Sequence, residues 1–420
     1  MHTSAIQLEN GKIPGSERFW RALLTGELAF LCFLIPAGRF AAEPFGIYVS
    51  IGFDIYRLFP YLFFTWWLWR RTIPKRSLPS SPFLLPLFSF FLVSLLAAVG
   101  SPDPYESLSE VLEICFYLIF FLFLLDFPWS RKNLTCITGA FIAGCLYLGI
   151  VAIQQYLAAS QAGVLPRISA TFDFPNALGI FSLLAFTLLT WVFWHTHTFW
   201  QKGFVVLGLL SVLLALVLSL SRAAYLGLLI WSAVILFYRK RVYWKRALLT
   251  LLALISVILL VTPQITERIT YFWSEMQRME SASRIYILPT VLSQEIPDLS
   301  FFGVGLGPVI AQRMENISAA APSEFAIADG WHPHNLYLDL LLSTGWFGLF
   351  TFLWTIALAV YFLHQDSSFS SKIILAGISA FLVHQFFEVH LLLGNIPVLW
   401  IALLALAHYY QTLQPGRSQP

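Results

Sequence analysis

Apolar runs of about 20 residues recur from one end of this chain to the other, each long enough to cross the ~30 Å hydrocarbon core of a bilayer. In that solvent every backbone N–H and C=O needs an internal partner, which leaves only helices or a closed barrel. A barrel would show short alternating segments, and the runs here are continuous. Composition points the same way: of 420 residues, 58% are hydrophobic and only 11% charged, against roughly 25% charged in a soluble domain. The expected fold is all-α, a polytopic transmembrane helical protein.

The spans fall at 19–37, 46–69, 83–99, 108–127, 134–158, 174–194, 203–220, 222–238, 247–262, 335–363, 371–391 and 396–411, about twelve in all. With the N-terminus in the cytoplasm, the inner loops collect Arg70-Arg71, Lys75-Arg76, Arg131-Lys132 and Arg239-Lys240-Arg241, as the positive-inside rule requires. All seven lysines then lie on the cytoplasmic side. An even number of spans returns the C-terminus there too, and no removable signal peptide is read at the start. The organisation is residues 1–262 carrying spans one to nine, 263–333 as one large, partly helical outer loop, 334–411 carrying spans ten to twelve, and 412–420 as a cytoplasmic tail.

What remains outside is arginine without lysine: Arg39, Arg167, Arg222, Arg268, Arg278, Arg284 and Arg313. A guanidinium offers a planar fork that grips phosphate or carboxylate with two parallel bonds, which a lysine ammonium does not. Scattered arginines also snorkel or make plain surface contacts. Arg222 is harder to read that way, because it interrupts an apolar stretch from Phe204 to Phe237. A charge in mid-span costs roughly 2.5–3.5 kcal/mol on insertion scales, so a hairpin tip at the outer surface is expected there.

His334 stands in Trp331-His332-Pro333-His334-Asn335, where the polar excursion ends and a long apolar helix begins. An imidazole at the mouth of a membrane helix is a candidate acid, base or anion binder. His332 reads equally as a loop contact and as a substrate contact. Asp54 and Arg57, three apart in the second span, suggest an intrahelical or interhelical pair. His384 and Glu388, four apart in the eleventh span, suggest a packing or site-lining pair on one helix face. Phe302-Gly303-Val304-Gly305-Leu306-Gly307 lacks the strand before and the Lys-Ser/Thr after that a phosphate-cradling loop needs, and is expected to turn tightly against substrate or membrane. Cys32, Cys115, Cys136 and Cys145 sit in or beside apolar spans as small hydrophobes, with no disulfide or metal framework.

Four motifs together resemble the O-antigen ligase family of polytopic glycosyltransferases, which also includes O-antigen polymerases. They are Arg284-x-x-x-Leu288 in the large loop; His334-Asn335, nine residues, then Gly345-x-x-Gly348; Phe172-x-x-Pro175-Asn176 at a helix start; and Ser221-Arg222-x-x-x-Leu226-Gly227 at a turn between helices. The resemblance implies transfer of a glycan from an undecaprenyl diphosphate carrier to an acceptor, lipid A–core first among them, on the periplasmic face of the bacterial inner membrane. It implies no cofactor and no metal. It makes His334, Arg284 and Arg222 the catalytic candidates, with Asn335, Asn176, His332 and Glu388 beside those arginines as substrate contacts. The partners are the lipid-linked donor, the glycan acceptor and the bilayer, with no nucleic acid. Polymerisation, exopolysaccharide synthesis or protein glycosylation are alternatives within that chemistry. A transporter is the alternative from another class, disfavoured by the lack of matching halves with broken helices.

Overall fold

A computed structural model of the chain describes residues 15–37, 39–42, 49–52, 55–72, 77–161, 167–238, 300–307, 334–389 and 395–412. The helices, in chain order, are α1 (Gly15–Ala37), α2 (Phe59–Thr72), α3 (Leu84–Val99), α4 (Pro104–Asp126), α5 (Arg131–Gln161), α6 (Pro175–His195), α7 (Phe199–Leu218), α8 (Arg222–Tyr238), α9 (Leu336–Gln365), α10 (Phe369–His384) and α11 (Ile396–Thr412). Six of them (α1, α4, α5, α6, α7 and α9) are long and apolar enough to cross a membrane, and α3, α8, α10 and α11 are shorter apolar helices. The chain is a helical membrane protein. The expected ninth span and most of the large outer loop lie outside the described residues.

The second expected span is corrected. Residues 46–69 are not one helix: β1 (Arg39–Ala42) and β2 (Val49–Gly52) form an antiparallel ribbon, Arg39 opposite Gly52 and Ala42 opposite Val49. A 3-10 turn at Ile55–Leu58 follows, and α2 starts only at Phe59. Hydropathy alone cannot separate a strand of β-branched residues from a helix turn. Here Pro44, Gly46 and Gly52 punctuate the run, and α2 is left at 14 residues, about 21 Å. Arg57 is exposed in the 3-10 turn, off the helix on which it was expected to pair, and Asp54 lies outside the described residues.

Small residues set the packing, because lipid offers no hydrophobic drive between helices and close approach must do the work. α1 lies along α5, where a Cβ at Gly144 would run into the Phe33 carbonyl and the Pro36 ring. α5 meets α7 at Gly149, which leaves room for Ser211, and Ser211 Oγ donates to the Cys145 carbonyl at 2.7 Å. The series continues from α7 to α6, α6 to α10 and α10 to α8, while α9 packs on α3 and α3 on α4. α11 joins the two groups by touching α4, α6, α9 and α10. α10 and α11, at 16 and 17 residues, are buried along most of their length, so neighbours rather than lipid surround their ends.

The bundle has two distinct ends. At one, Tyr238 closes α8 and its hydroxyl lies 2.6 Å from His364 Nδ1 at the end of α9. Lys372, early in α10, donates to the carbonyls of Leu363 and His364 at 2.7 and 2.8 Å. Asp126 at the end of α4 accepts from Trp66 Nε1 at 2.9 Å and Arg70 Nη1 at 2.6 Å. All three described lysines, Lys132, Lys202 and Lys372, belong to helix ends on this side. At the other end Thr171 Oγ1 donates to the Pro36 carbonyl at 2.7 Å and Asn395 Nδ2 to the Ile35 carbonyl at 2.9 Å. His334 lies at this second end.

Candidate functional site

Three connections meet at the second end of the bundle, and each contains a non-glycine residue with positive φ: Ala170 at 50°, Leu220 at 48° and His334 at 46°. An L-residue there is disfavoured by roughly 1–2 kcal/mol, so surrounding bonds must hold each in place. Strain of this kind gathers at functional sites. These are the only such residues among the described residues.

Ala170 is clamped by Gln155 of α5, whose Oε1 accepts from the Ala170 N–H and whose Nε2 donates to its carbonyl, both at 2.9 Å. The clamp sets the path into Phe174, the N-cap of α6, with Pro175 opening the helix in the position where a missing N–H costs nothing. Asn176 follows. Its neighbour one turn along, Gly179, faces Ser221 and Ala224 so closely that a Cβ would lie 2.9 Å from each Cβ. The α7–α8 turn is thereby pressed against the start of α6, and Ile168 N–H donates to the Leu218 carbonyl at 3.2 Å.

Arg222 is the first residue of α8 and is exposed. Its level follows from the α8–α10 contact, since Gly227 sits against the Ala380 carbonyl and the two helices run antiparallel. Five residues back along α8 and five on past Ala380 bring Arg222 level with Gln385. Arg222 therefore stands at the same end as Asn176 and His334.

Helix α10 ends at His384, so the expected helical span to residue 391 is corrected. His384 is buried in the last turn, and Glu388 lies beyond it in a non-helical turn rather than one turn up the same face. The helix stops because its following carbonyls are taken by the start of α9: Gln385 O accepts from Leu336 N–H at 2.9 Å and Phe386 O from Asn335 Nδ2 at 3.2 Å. Asn335 also caps α9, its Oδ1 accepting from the N–H groups of Tyr337 and Leu338 at 3.0 and 3.1 Å, a use that favours Asn at this position. His334 and Glu388 are thus carried on one bonded unit.

Their side chains meet. Glu388, 6% exposed, places Oε2 3.3 Å from His334 Nδ1, and its Oε1 accepts from Asn176 Nδ2. Asn176 Oδ1 in turn accepts from Arg167 Nη2 at 2.7 Å. Four residues from three connections form one chain of contacts, with the His334 ring partly exposed at its end. Arg284 and His332 lie outside the described residues, as do Arg268, Arg278, Arg313 and His390. Gln155, and any part for Arg167 beyond its position outside, escaped sequence reasoning. The signal available for Gln155 was an amide pair, Gln154-Gln155, at the end of an otherwise apolar run.

The glycine-rich segment docks on protein. Val304 and Gly305 donate their N–H groups to the carbonyls of Leu342 and Ser343, both at 3.0 Å. Those carbonyls are free because α9 breaks at Gly345, where φ is 67°. Phe347 N–H returns a bond to Phe301 O at 3.3 Å, and Leu306 O accepts from Ser107 Oγ of α4 at 2.8 Å. A Cβ at Gly303 would strike Ser343 and one at Gly345 would strike Phe301. Backbone meets backbone here, which explains glycine at both places. Among the described residues no group of three or more His, Cys, Asp or Glu is placed to hold a metal ion.

No curated protein matches the chain. A family model does, over residues 204–353, a stretch running from α7 through the Arg222 turn, the Arg284 loop and His334-Asn335 to the glycine break in α9. Its description is O-Antigen ligase, and over these residues the chain is similar to that family.

Proposed function

We propose that the chain is a membrane-embedded O-antigen ligase, moving a glycan from an undecaprenyl diphosphate carrier to lipid A–core on the periplasmic face of the bacterial inner membrane. The match to the O-antigen ligase model over residues 204–353 supports glycosyl transfer. The observation that carries the finer reading is the gathering of Arg222, Asn176, His334 and Glu388 at the bundle end where no described lysine lies. A diphosphate at headgroup level would be held by Arg222 and Arg284, bidentate donors suited to the charge that grows on the leaving group. The acceptor oxygen forms its bond to the anomeric carbon as the carbon–oxygen bond to the diphosphate breaks. The electron pair leaves on the diphosphate, and the acceptor's proton must go to a base. His334 stands within this site as that base or as a phosphate donor, two roles that differ in where the ring carries its proton. The diphosphate linkage already activates the sugar, so no nucleotide is needed.

Purified protein given the lipid-linked glycan and lipid A–core is expected to form the joined product without ATP and with a chelator present. Arg222→Lys and Arg284→Lys are expected to lower transfer at unchanged membrane levels, because an ammonium cannot reproduce two parallel bonds. Near-normal transfer by both variants would remove the diphosphate-gripping role. Lengthening of the lipid-linked glycan without use of the core would assign polymerisation instead, and transport of a solute with neither product would overturn glycosyl transfer.

A further inference from the structure

We infer that Arg167, Asn176 and Glu388 form a positioning relay that fixes His334 with its proton on Nδ1, leaving Nε2 as the proton acceptor; the use made of Nε2 rests on the glycosyl-transfer reading above. The relay is directional from its first member. A guanidinium only donates, so Asn176 turns its oxygen toward Arg167, with Nη2 at 2.7 Å. That leaves the Asn176 NH2 group facing Glu388 Oε1, and an oxygen receiving a donor there is an acceptor. A carboxylate so supported presents Oε2 as a second acceptor, and His334 Nδ1 lies 3.3 Å from it. The Nδ1–H tautomer is the neutral ring form that satisfies this contact, and it places the lone pair on Nε2.

Two features make the relay more than a chance pairing. Glu388 is 6% exposed, and a buried carboxylate persists as an anion only when its oxygens are bonded. Its turn and the His334 segment are also tied by Leu336 N–H to Gln385 O and Asn335 Nδ2 to Phe386 O. The backbone that carries the ring is therefore tied to the turn that carries the carboxylate. His334 is kept at a φ of 46° by these bonds, the sort of over-determined geometry in which strain serves positioning. In the transfer step the acceptor hydroxyl gives its proton to Nε2 while its oxygen bonds the sugar and the diphosphate departs with the electron pair. Glu388 stays ionised and stabilises the imidazolium that results, without itself taking the proton.

The test uses full-length protein in lipid nanodiscs with 15N-labelled histidine rings, the His334 signal being assigned by its loss in His334→Gln. Wild-type protein is expected to show neutral His334 protonated at Nδ1. In Glu388→Gln the amide keeps an oxygen for Asn176 and turns its NH2 toward the ring, so the proton moves to Nε2. The same variant should lose kcat by roughly 10²–10⁴-fold, the range of general-base catalysis, with KM for the lipid-linked donor nearly unchanged. Glu388→Asp, which restores an anionic acceptor, should recover part of kcat and the Nδ1–H form. A merely structural Glu388 would change neither tautomer nor the split between kcat and KM. Wild-type His334 protonated at Nε2, or Glu388→Gln with kcat within about threefold of wild type, would overturn the relay. If wild-type protein transfers no glycan at all, the glycosyl-transfer reading falls, and the ring spectra still decide the tautomer independently.

Discussion

The two ends of the bundle both bury polar groups, but they use them differently. At the Lys372 end the two buried charges, Lys372 and Asp126, each terminate on groups that need them. The ammonium caps the carbonyls closing α9, and Asp126 collects an indole N–H and a guanidinium. Partners at these sites come from helix ends in ordinary conformations. At the His334 end three connections carry left-handed non-glycine residues, and the chain of contacts from Arg167 through Asn176 and Glu388 finishes on a partly exposed ring. The first end ties off its buried charges; the second holds a partly exposed imidazole on left-handed backbone, the geometry that the proposed function would use. Burial alone does not separate the two, since Asp126 and Glu388 are 3% and 6% exposed.

That contrast can be broken by experiment. His334→Ala is expected to lower transfer by roughly 10²–10⁴-fold, equivalent to about 3–5 kcal/mol of barrier, while lowering the unfolding midpoint of the purified protein less than Asp126→Ala does. An equal loss of stability would show that His334 anchors as Asp126 does. Asp126→Ala is the converse, expected to cost about 1.5–3 kcal/mol of stability because the Trp66 indole N–H and Arg70 Nη1 lose their shared carboxylate acceptor. Activity per folded molecule, measured at low temperature, should persist. Lys372→Met removes two charge-assisted bonds and should cost about 2 kcal/mol of stability, again without lowering turnover. Gln155→Ala gives the smallest loss of stability, about 1 kcal/mol. It releases the Ala170 clamp, however, so transfer should fall about tenfold through displacement of Asn176. Unchanged transfer in that variant would mean that the left-handed turn positions nothing.

Much of the helical scaffold was legible because hydropathy and length report directly on what lipid tolerates. The expected 222–238 span and α8 share both boundaries, and the 83–99, 134–158 and 203–220 spans differ from α3, α5 and α7 by a few residues. The ribbon at 39–52 was not legible, since Val49 and Ile51 read as apolar whichever backbone they adopt. The premature end of α10 was hidden for a different reason: it is imposed by Asn335 and Leu336, some fifty residues away. His334 stood out as a polar residue at the edge of an apolar run, Asn176 through the Phe-x-x-Pro-Asn motif, and Glu388 with His384 inside the eleventh span. Their mutual bonds, across 54 and 212 residues, and the dependence of Asn176 on Arg167, are products of packing that no local pattern encodes. The glycine segment was read as a tight turn close to substrate or membrane, and its packing partner, the break at Gly345, is a match between two backbone shapes that no local pattern shows.

The bond from Asn395 to the Ile35 carbonyl joins positions 360 residues apart, and it has a consequence for how the molecule is made. At about 5–20 residues per second of synthesis, the carbonyl end of α1 waits roughly 20–70 s in the membrane before its partner emerges. Glu388, too, is translated about 210 residues after Asn176. A nascent chain arrested anywhere before this point would be inserted and anchored, yet would lack both long-range bonds that join the ends of its helices.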